Sequence, residues 1–182
     1  VPVSLPGTIE FASVKVADNQ PVILASMYGT WETPRVRSSR IYADASVHRL
    51  ISDICHFVAA PTKHRVIAAG DLNILHGYGE HGSSYWRSRY STVFDRMAAV
   101  GLEFVGPQQP HGSGPDPWPD ELPPESRDVP TYRKRRTVAS SASRQLDFVF
   151  ASNSIAGSVK ATAKNEMAGW GPSDHCVIEI EV

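Results

Sequence analysis

A change of hydrophobic period between residues 21 and 69 restricts what this chain can become. Pro21-Val22-Ile23-Leu24-Ala25-Ser26-Met27-Tyr28 is an apolar run of strand length. Val47, Leu50, Ile51, Ile54 and Val58 then recur at i, i+3, i+4, i+7 and i+11, the stripe of an amphipathic helix within residues 42–60. Arg65-Val66-Ile67-Ala68-Ala69 returns to an unbroken apolar run and reads as a buried strand. A helix of that length between two strands is a crossover within one sheet, so the chain is α/β. Residues 8–16 alternate late in their length and precede a turn at Asp18-Asn19, so they pair with the 21–28 strand as an antiparallel hairpin.

The remaining elements continue the same domain. A second helix carries Trp86, Tyr90, Val93, Phe94 and Met97 on one face and ends at Gly101. Strands are expected at 102–105, 145–150, 158–164 and 176–182, the last with clean alternation. Residues 107–130 hold eight of the fourteen prolines, which excludes helix and central strand. Sheet elements resume after this segment, so it is a loop inside a single domain of residues 1–182 rather than a linker. A Pro-rich recognition segment is the alternative.

Composition removes several classes. No apolar run approaches the roughly 18 residues of a membrane span, and no basic-then-apolar leader opens the chain. A cytoplasmic location is therefore expected. The chain starts at Val1 rather than Met, which reads as a processed or truncated piece. A net charge of −1 argues against a broadly basic nucleic-acid surface and leaves room for a local patch. Cys55 and Cys176 lack partners at metal-ligand spacing and read as small buried hydrophobes. His48, His56 and His64 read as surface or boundary histidines.

Candidate chemistry gathers at strand ends. Gly70-Asp71-Leu72-Asn73 follows the 65–69 strand, where open α/β sheets bind their ligands. An Asp there holds a metal or a water, and an Asn two residues on holds a phosphate oxygen without adding charge; a plain strand-ending turn is the alternative. Tyr28 closes its own strand at the same sheet edge. His76-Gly77-Tyr78-Gly79-Glu80-His81-Gly82 is a glycine-rich loop on the rim, matching no metal signature. Residues 127–144 hold Arg127, Arg133, Lys134, Arg135, Arg136 and Arg144 against Asp128 alone, which suits either an anionic substrate or a solvated loop. Asp147 sits among apolar residues in Gln145-Leu146-Asp147-Phe148-Val149-Phe150 and needs a partner. His175, in Ser173-Asp174-His175, is the natural one, since a carboxylate fixes an imidazole's tautomer and raises its basicity.

Four segments, in order, resemble the endonuclease/exonuclease/phosphatase superfamily, with its deoxyribonuclease-I-like fold: the strand ending at Tyr28, Gly70-Asp71-Leu72-Asn73, Leu146-Asp147-Phe148 and Ser173-Asp174-His175. The chain looks closest to bacterial members without an assigned substrate, whose Gly77-Tyr78-Gly79 loop and Arg144-Gln145-Leu146-Asp147-Phe148 strand it shares. The resemblance implies a two-sheet sandwich flanked by helices and a Mg²⁺- or Mn²⁺-dependent phosphodiesterase or phosphatase, with nucleic acid among its substrates. Asp71 would orient or deprotonate the attacking water. Asn73 and His175 would contact the scissile phosphate, Asp147 would hold His175, and Tyr28 would donate toward the phosphate or leaving group. Asp174, with Asp71, would hold the metal. His76, Tyr78, Tyr132, Arg133, Arg144 and Trp170 would contact substrate.

The chain also departs from the family pattern. Complete members carry an Asn-strand and then a Glu-strand before the Tyr segment, the Glu being the main metal ligand. Only 27 residues precede Tyr28, with Glu10 mid-strand and Asn19 in a turn. Gly29-Thr30-Trp31-Glu32 stands where members often place an Asn, with Glu32 as a substitute ligand to consider. The chain thus reads as the C-terminal two-thirds of a domain lacking its first strands. A catalytically incompetent module that binds phosphate ligands, or that self-associates through exposed sheet edges, is the competing reading.

Overall fold

In a computed structural model, residues 2–16, 20–32, 42–58 and 63–182 are described. The turn expected at Asp18-Asn19 lies outside them. The hairpin strands are β1 (Ile9–Lys15) and β2 (Pro21–Tyr28), antiparallel with Ile9 opposite Met27. Helix α1 (Ala43–Ile54) precedes β3 (Val66–Asp71), which runs parallel to β2, as a crossover requires. Helix α2 (Ser84–Ala99) follows, with Ser83 Oγ accepting from the Trp86 amide at its start. Gly101, at φ +78°, turns the chain into β4 (Leu102–Gly106). Then come β5 (Asp147–Ser152), β6 (Lys160–Lys164) and β7 (Val177–Glu181).

Strands β1-β2-β3-β5-β4 form one sheet, and β6-β7 form a second. Alternation along each strand sorts side chains to two faces. Ala25, Met27, Val66, Ala68, Phe148 and Phe150 pack with Val47, Leu50 and Ile51 of α1 and Val93 and Met97 of α2. Val22, Ile67, Val149 and Ala151 face the other way, against Ala161 of β6 and Ile178 and Ile180 of β7. The helices therefore cover one face of the large sheet and the small sheet covers the other. Strand β5, buried at every position, is the shared wall of both cores.

Residues 107–130 contain no helix or strand, as the prolines require, but they are tied down. The Gln109 amide donates to the Arg127 carbonyl, and Leu122, Asp128 and Val129 are buried. His64 is a correction to the surface reading: it is buried, with Nδ1 2.6 Å from Ser152 Oγ and Nε2 3.0 Å from the Val100 carbonyl. A buried imidazole with both nitrogens partnered clamps the loop before β3 to β5 and to the end of α2. His56 is exposed, and Cys55 and Cys176 are free thiols, the latter buried.

Candidate active site

The topology aligns three strand ends. Tyr28 lies opposite Asp71 in the parallel β2–β3 pair, and Asp71 lies opposite Asp147 in the antiparallel β3–β5 pair. The chain turns where it does because Gly70 and Gly29 allow close backbone approach. A Cβ at Gly70 would lie 1.9 Å from the Met27 carbonyl oxygen, and one at Gly29 would lie 2.4 Å from that of Leu72. The Gly29 amide donates to the Asp71 carbonyl at 2.7 Å, carrying the pairing one residue past the strand.

Asn73 holds Asp71. Its backbone amide donates to Asp71 Oδ1 at 2.9 Å, and its Nδ2 donates to Asp71 Oδ2 at 3.1 Å and to the Gly29 carbonyl at 2.8 Å. Both amide hydrogens are thus committed within the protein. This differs from the phosphate contact expected for Asn73, and it is why a non-glycine residue tolerates φ +50° there.

His175 arrives from the segment just before β7, where it bridges to Tyr132. Its Nδ1 donates to Asp147 Oδ2 at 2.8 Å, and its Nε2 stands 3.8 Å from Asp71 Oδ2. An oxygen atom about 2.8 Å from each of those two atoms fits as the apex of that triangle, the position of a water or a phosphoryl oxygen. Thr131, fully buried, joins the two halves. Its Oγ1 accepts from the Leu146 and Asp147 amides, and its carbonyl accepts from the Cys176 amide. Gln145 adds a second buried clamp, accepting from the Val129 amide and donating to the Pro107 carbonyl. Neither residue carries a role from the sequence alone: Thr131 lies outside the motifs, and Gln145 lies within one only as a neighbour of Asp147.

Electrostatics follow from this crowding. Burial, with the Asp147 carboxylate beside it, pushes the Asp71 carboxyl up from 3.8 to about 6. Burial alone would lower the His175 imidazole; the Asp147 hydrogen bond and the charges of Asp147, Asp71 and Asp174 outweigh it and raise it. The raised Asp71 carboxyl has a measurable consequence without metal. At about pH 2 it is protonated folded and unfolded alike; as pH rises through 3.8 toward 6 the unfolded carboxyl ionises first, so ionisation favours unfolding. Wild type should therefore lose about 2 kcal/mol relative to Asp71→Asn between pH 4 and pH 7. Urea unfolding of both proteins with a chelator present reads this, and a constant difference between them refutes it.

Tyr28 stands at the rim, 48% exposed. The residues expected to touch substrate divide. Tyr132 lies beside His175, ring centroids 5.2 Å apart, and Arg133 donates to the Ser173 carbonyl at 2.8 Å. Four others turn inward or are engaged. His76 pairs with buried Asp128 at 2.9 Å and packs against Phe94 and Phe104. Tyr78 and Trp170 are buried at 5% and 3% exposure, and Arg144 is bound to Glu80 at 2.6 Å. Glu32 is engaged by Arg49. A cavity of about 780 Å³ beside β7 meets the site at His175 and is lined by neither Asp71 nor Asp147.

Among the described residues no group of three or more His, Cys, Asp or Glu side chains is placed to cage a metal. That does not conflict with Mg²⁺, which is usually held by one or two carboxylates together with waters and substrate phosphate. Burial is the main reason Asp71 is raised, and the charges of Asp147 and Asp174 add to it; a divalent cation would offset that charge.

No protein-family profile matches the sequence, and no curated protein does. Solved structures do. The 3′-5′ exonuclease NExo from Neisseria meningitidis superposes with a TM-score of 0.56 at 17% identity, over 94% of this chain and 64% of that one. The AP endonuclease LMAP from Leishmania major gives 0.56 at 16% identity, over 96% and 54%. The endonuclease domain of TRAS1, a telomere-specific non-LTR retrotransposon, gives 0.54 at 13% identity, over 96% and 63%. The chain thus spans between half and two-thirds of the length of these structures. With its helices on one face of a five-stranded sheet and a small sheet on the other, this chain has the deoxyribonuclease-I-like fold.

Proposed function

We propose that the chain carries the phosphate-handling part of a Mg²⁺- or Mn²⁺-dependent phosphodiester hydrolase. The observation that carries this reading is the row Asp147–His175–Asp71, with His175 Nδ1 2.8 Å from Asp147 Oδ2 and Nε2 3.8 Å from Asp71 Oδ2, a gap that one oxygen atom can bridge. Asp71, ionised above about pH 6, orients and deprotonates the attacking water. Protonated His175 donates through Nε2 to the charge developing on the phosphate, and Asp147 keeps the ring in that orientation. Asn73 positions Asp71. Tyr28 donates from the rim toward the phosphate or the leaving group. Asp174 and Asp71 would hold the metal, which supplies charge neutralisation on the phosphoryl oxygens. That the neighbouring structures include nucleases favours a nucleic-acid phosphodiester as substrate.

The test is turnover of bis(4-nitrophenyl) phosphate and of a single-stranded oligonucleotide with Mg²⁺ or Mn²⁺. Hydrolysis should stop with a chelator and return when metal is restored. A folded chain with no turnover under any of these conditions rejects the hydrolase. A second reading then stands, a phosphate-binding module that pairs with its own kind through β7. It is favoured by Val177, 60% exposed on that strand. It predicts a dimer by sedimentation, lost on Val177→Lys. Among the described residues no helix is long and apolar enough to cross a membrane.

A further inference from the structure

The turn from Arg133 to Arg136 is not explained by chemistry at a single phosphate. It faces the Gly171–Asp174 loop across a cavity of about 640 Å³ lined by Arg133, Arg135, Arg136, Pro172 and Asp174. Several other cations are neutralised by carboxylates. Arg144 is bound to Glu80, Arg89 to Asp44, Lys160 to Glu181 and Lys164 to Glu179. Among the described residues, no carboxylate comes within ion-pair distance of Arg135 or Arg136, although Asp174 lines the same cavity. Three guanidinium groups against one carboxylate leave a net positive cup on a chain whose net charge is −1.

The cup is fixed relative to His175. The Arg133 amide donates to the Asp174 carbonyl at 2.9 Å, and the Arg133 guanidinium donates to the Ser173 carbonyl and to the Thr137 carbonyl. Thr137 closes the turn by donating from its amide and its hydroxyl to the Lys134 carbonyl. Arg136 takes φ +70°, a conformation costly for a residue with a Cβ, and both Arg135 and Arg136 are exposed. A solvated charged loop needs neither this backbone nor an anchor on the Ser173-Asp174-His175 turn.

We propose that Arg135 and Arg136, on the base set by Arg133, form a subsite for a second phosphate of the substrate whose scissile phosphate sits at His175. This rests on the reading of that site given above. The substrate class it selects carries at least two phosphates, supplied either by a polynucleotide backbone or by a small polyphosphate. Guanidinium forks suit phosphate oxygens, and a substrate with one phosphate gains nothing from them.

The experiment is binding of a fluorescein-labelled thymidine decamer by anisotropy, from 50 to 200 mM salt, with inositol hexakisphosphate as competitor. The double variant Arg135→Gln/Arg136→Gln should bind about tenfold more weakly at 50 mM salt, with a salt slope smaller by about 1.4, or ~0.7 per lost phosphate contact on a single strand. A control pair, Lys15→Gln/Lys63→Gln, removes the same charge at the opposite end of the sheet, where both lysines are exposed, and should keep the wild-type slope. Decamer binding that the competitor does not displace supports the subsite with a polynucleotide source. Displacement by the competitor, lost in the Arg variant, supports it with a small polyphosphate source. An unchanged slope in the Arg variant, an equal loss in the control, or no wild-type binding of either probe overturns the subsite. Hydrolysis is scored separately. Turnover with an unchanged slope removes the subsite and keeps the hydrolase, whereas slope loss without turnover does the reverse.

Discussion

If the chain is the hydrolase proposed above, His175→Ala should lower kcat for phosphodiester hydrolysis by about 10²–10³-fold, the cost of removing a positioned donor to developing charge. Asp147→Asn should lower it by about 10–10²-fold, and the double variant should be no worse than His175→Ala alone. The reasoning is that Asp147 acts through the ring. Its Oδ2 receives Nδ1 at 2.8 Å, leaving Nε2 aimed toward Asp71 at 3.8 Å. With the imidazole gone there is nothing for Asp147 to orient, so the two losses cannot multiply. Losses that do multiply would assign Asp147 a separate task and sink the pairing as the source of its effect. A second readout separates positioning from general structural damage. The His175 imidazole is raised because the Asp147 bond and three carboxylate charges outweigh burial. In Asp147→Asn burial meets only Asp71 and Asp174, so the His175 titration followed by NMR moves to lower pH. A variant that is merely less stable keeps the wild-type titration.

What was legible in the sequence, and what was not, follows from the range of the interactions involved. Helix α1 announces itself because Val47, Leu50, Ile51 and Ile54 lie within one short segment and share one face. Strand β7 does so because its alternation is complete over five residues. Asp147 was traced to His175 by a local anomaly, an acid in an apolar strand that needs a partner. His64 offered no such anomaly. Its partners Ser152 and Val100 are 88 and 36 residues away, so nothing near it marked it as buried. The same limit applies to His76, Tyr78 and Trp170. Glycine-rich flanks identify a loop, but whether its aromatics point outward or into the core is decided by Asp128, Phe94 and Asn165, residues distant or unpatterned in sequence. Asn73 reads from the sequence as a phosphate contact. A Gly-Asp-Leu-Asn string does not say that the amide will be consumed by Gly29, which comes 44 residues earlier.

Gly70→Ala should be severely destabilising, costing about 4 kcal/mol or more and lowering Tm by roughly 8–16 °C for a domain of this size. Two effects coincide at this position. The residue holds φ +151°, which a side chain disfavours, and its Cβ would lie 1.9 Å from the Met27 carbonyl oxygen. That oxygen is backbone, so it retreats only if β2 moves away from β3. The movement breaks the row that places Tyr28 beside Asp71 and Asp71 beside Asp147, so the proposed hydrolysis should be weak in any protein that still folds. Gly77→Ala is the comparison. Gly77 also has positive φ, +78°, yet nothing lies within 4 Å of its added Cβ, so only the conformational cost of about 1 kcal/mol remains. If the two variants unfold at similar urea concentrations, close approach of β2 and β3 is not what Gly70 provides. If Gly70→Ala alone collapses, the glycine before Asp71 is there to let two backbones meet, and the geometry of the site depends on that contact.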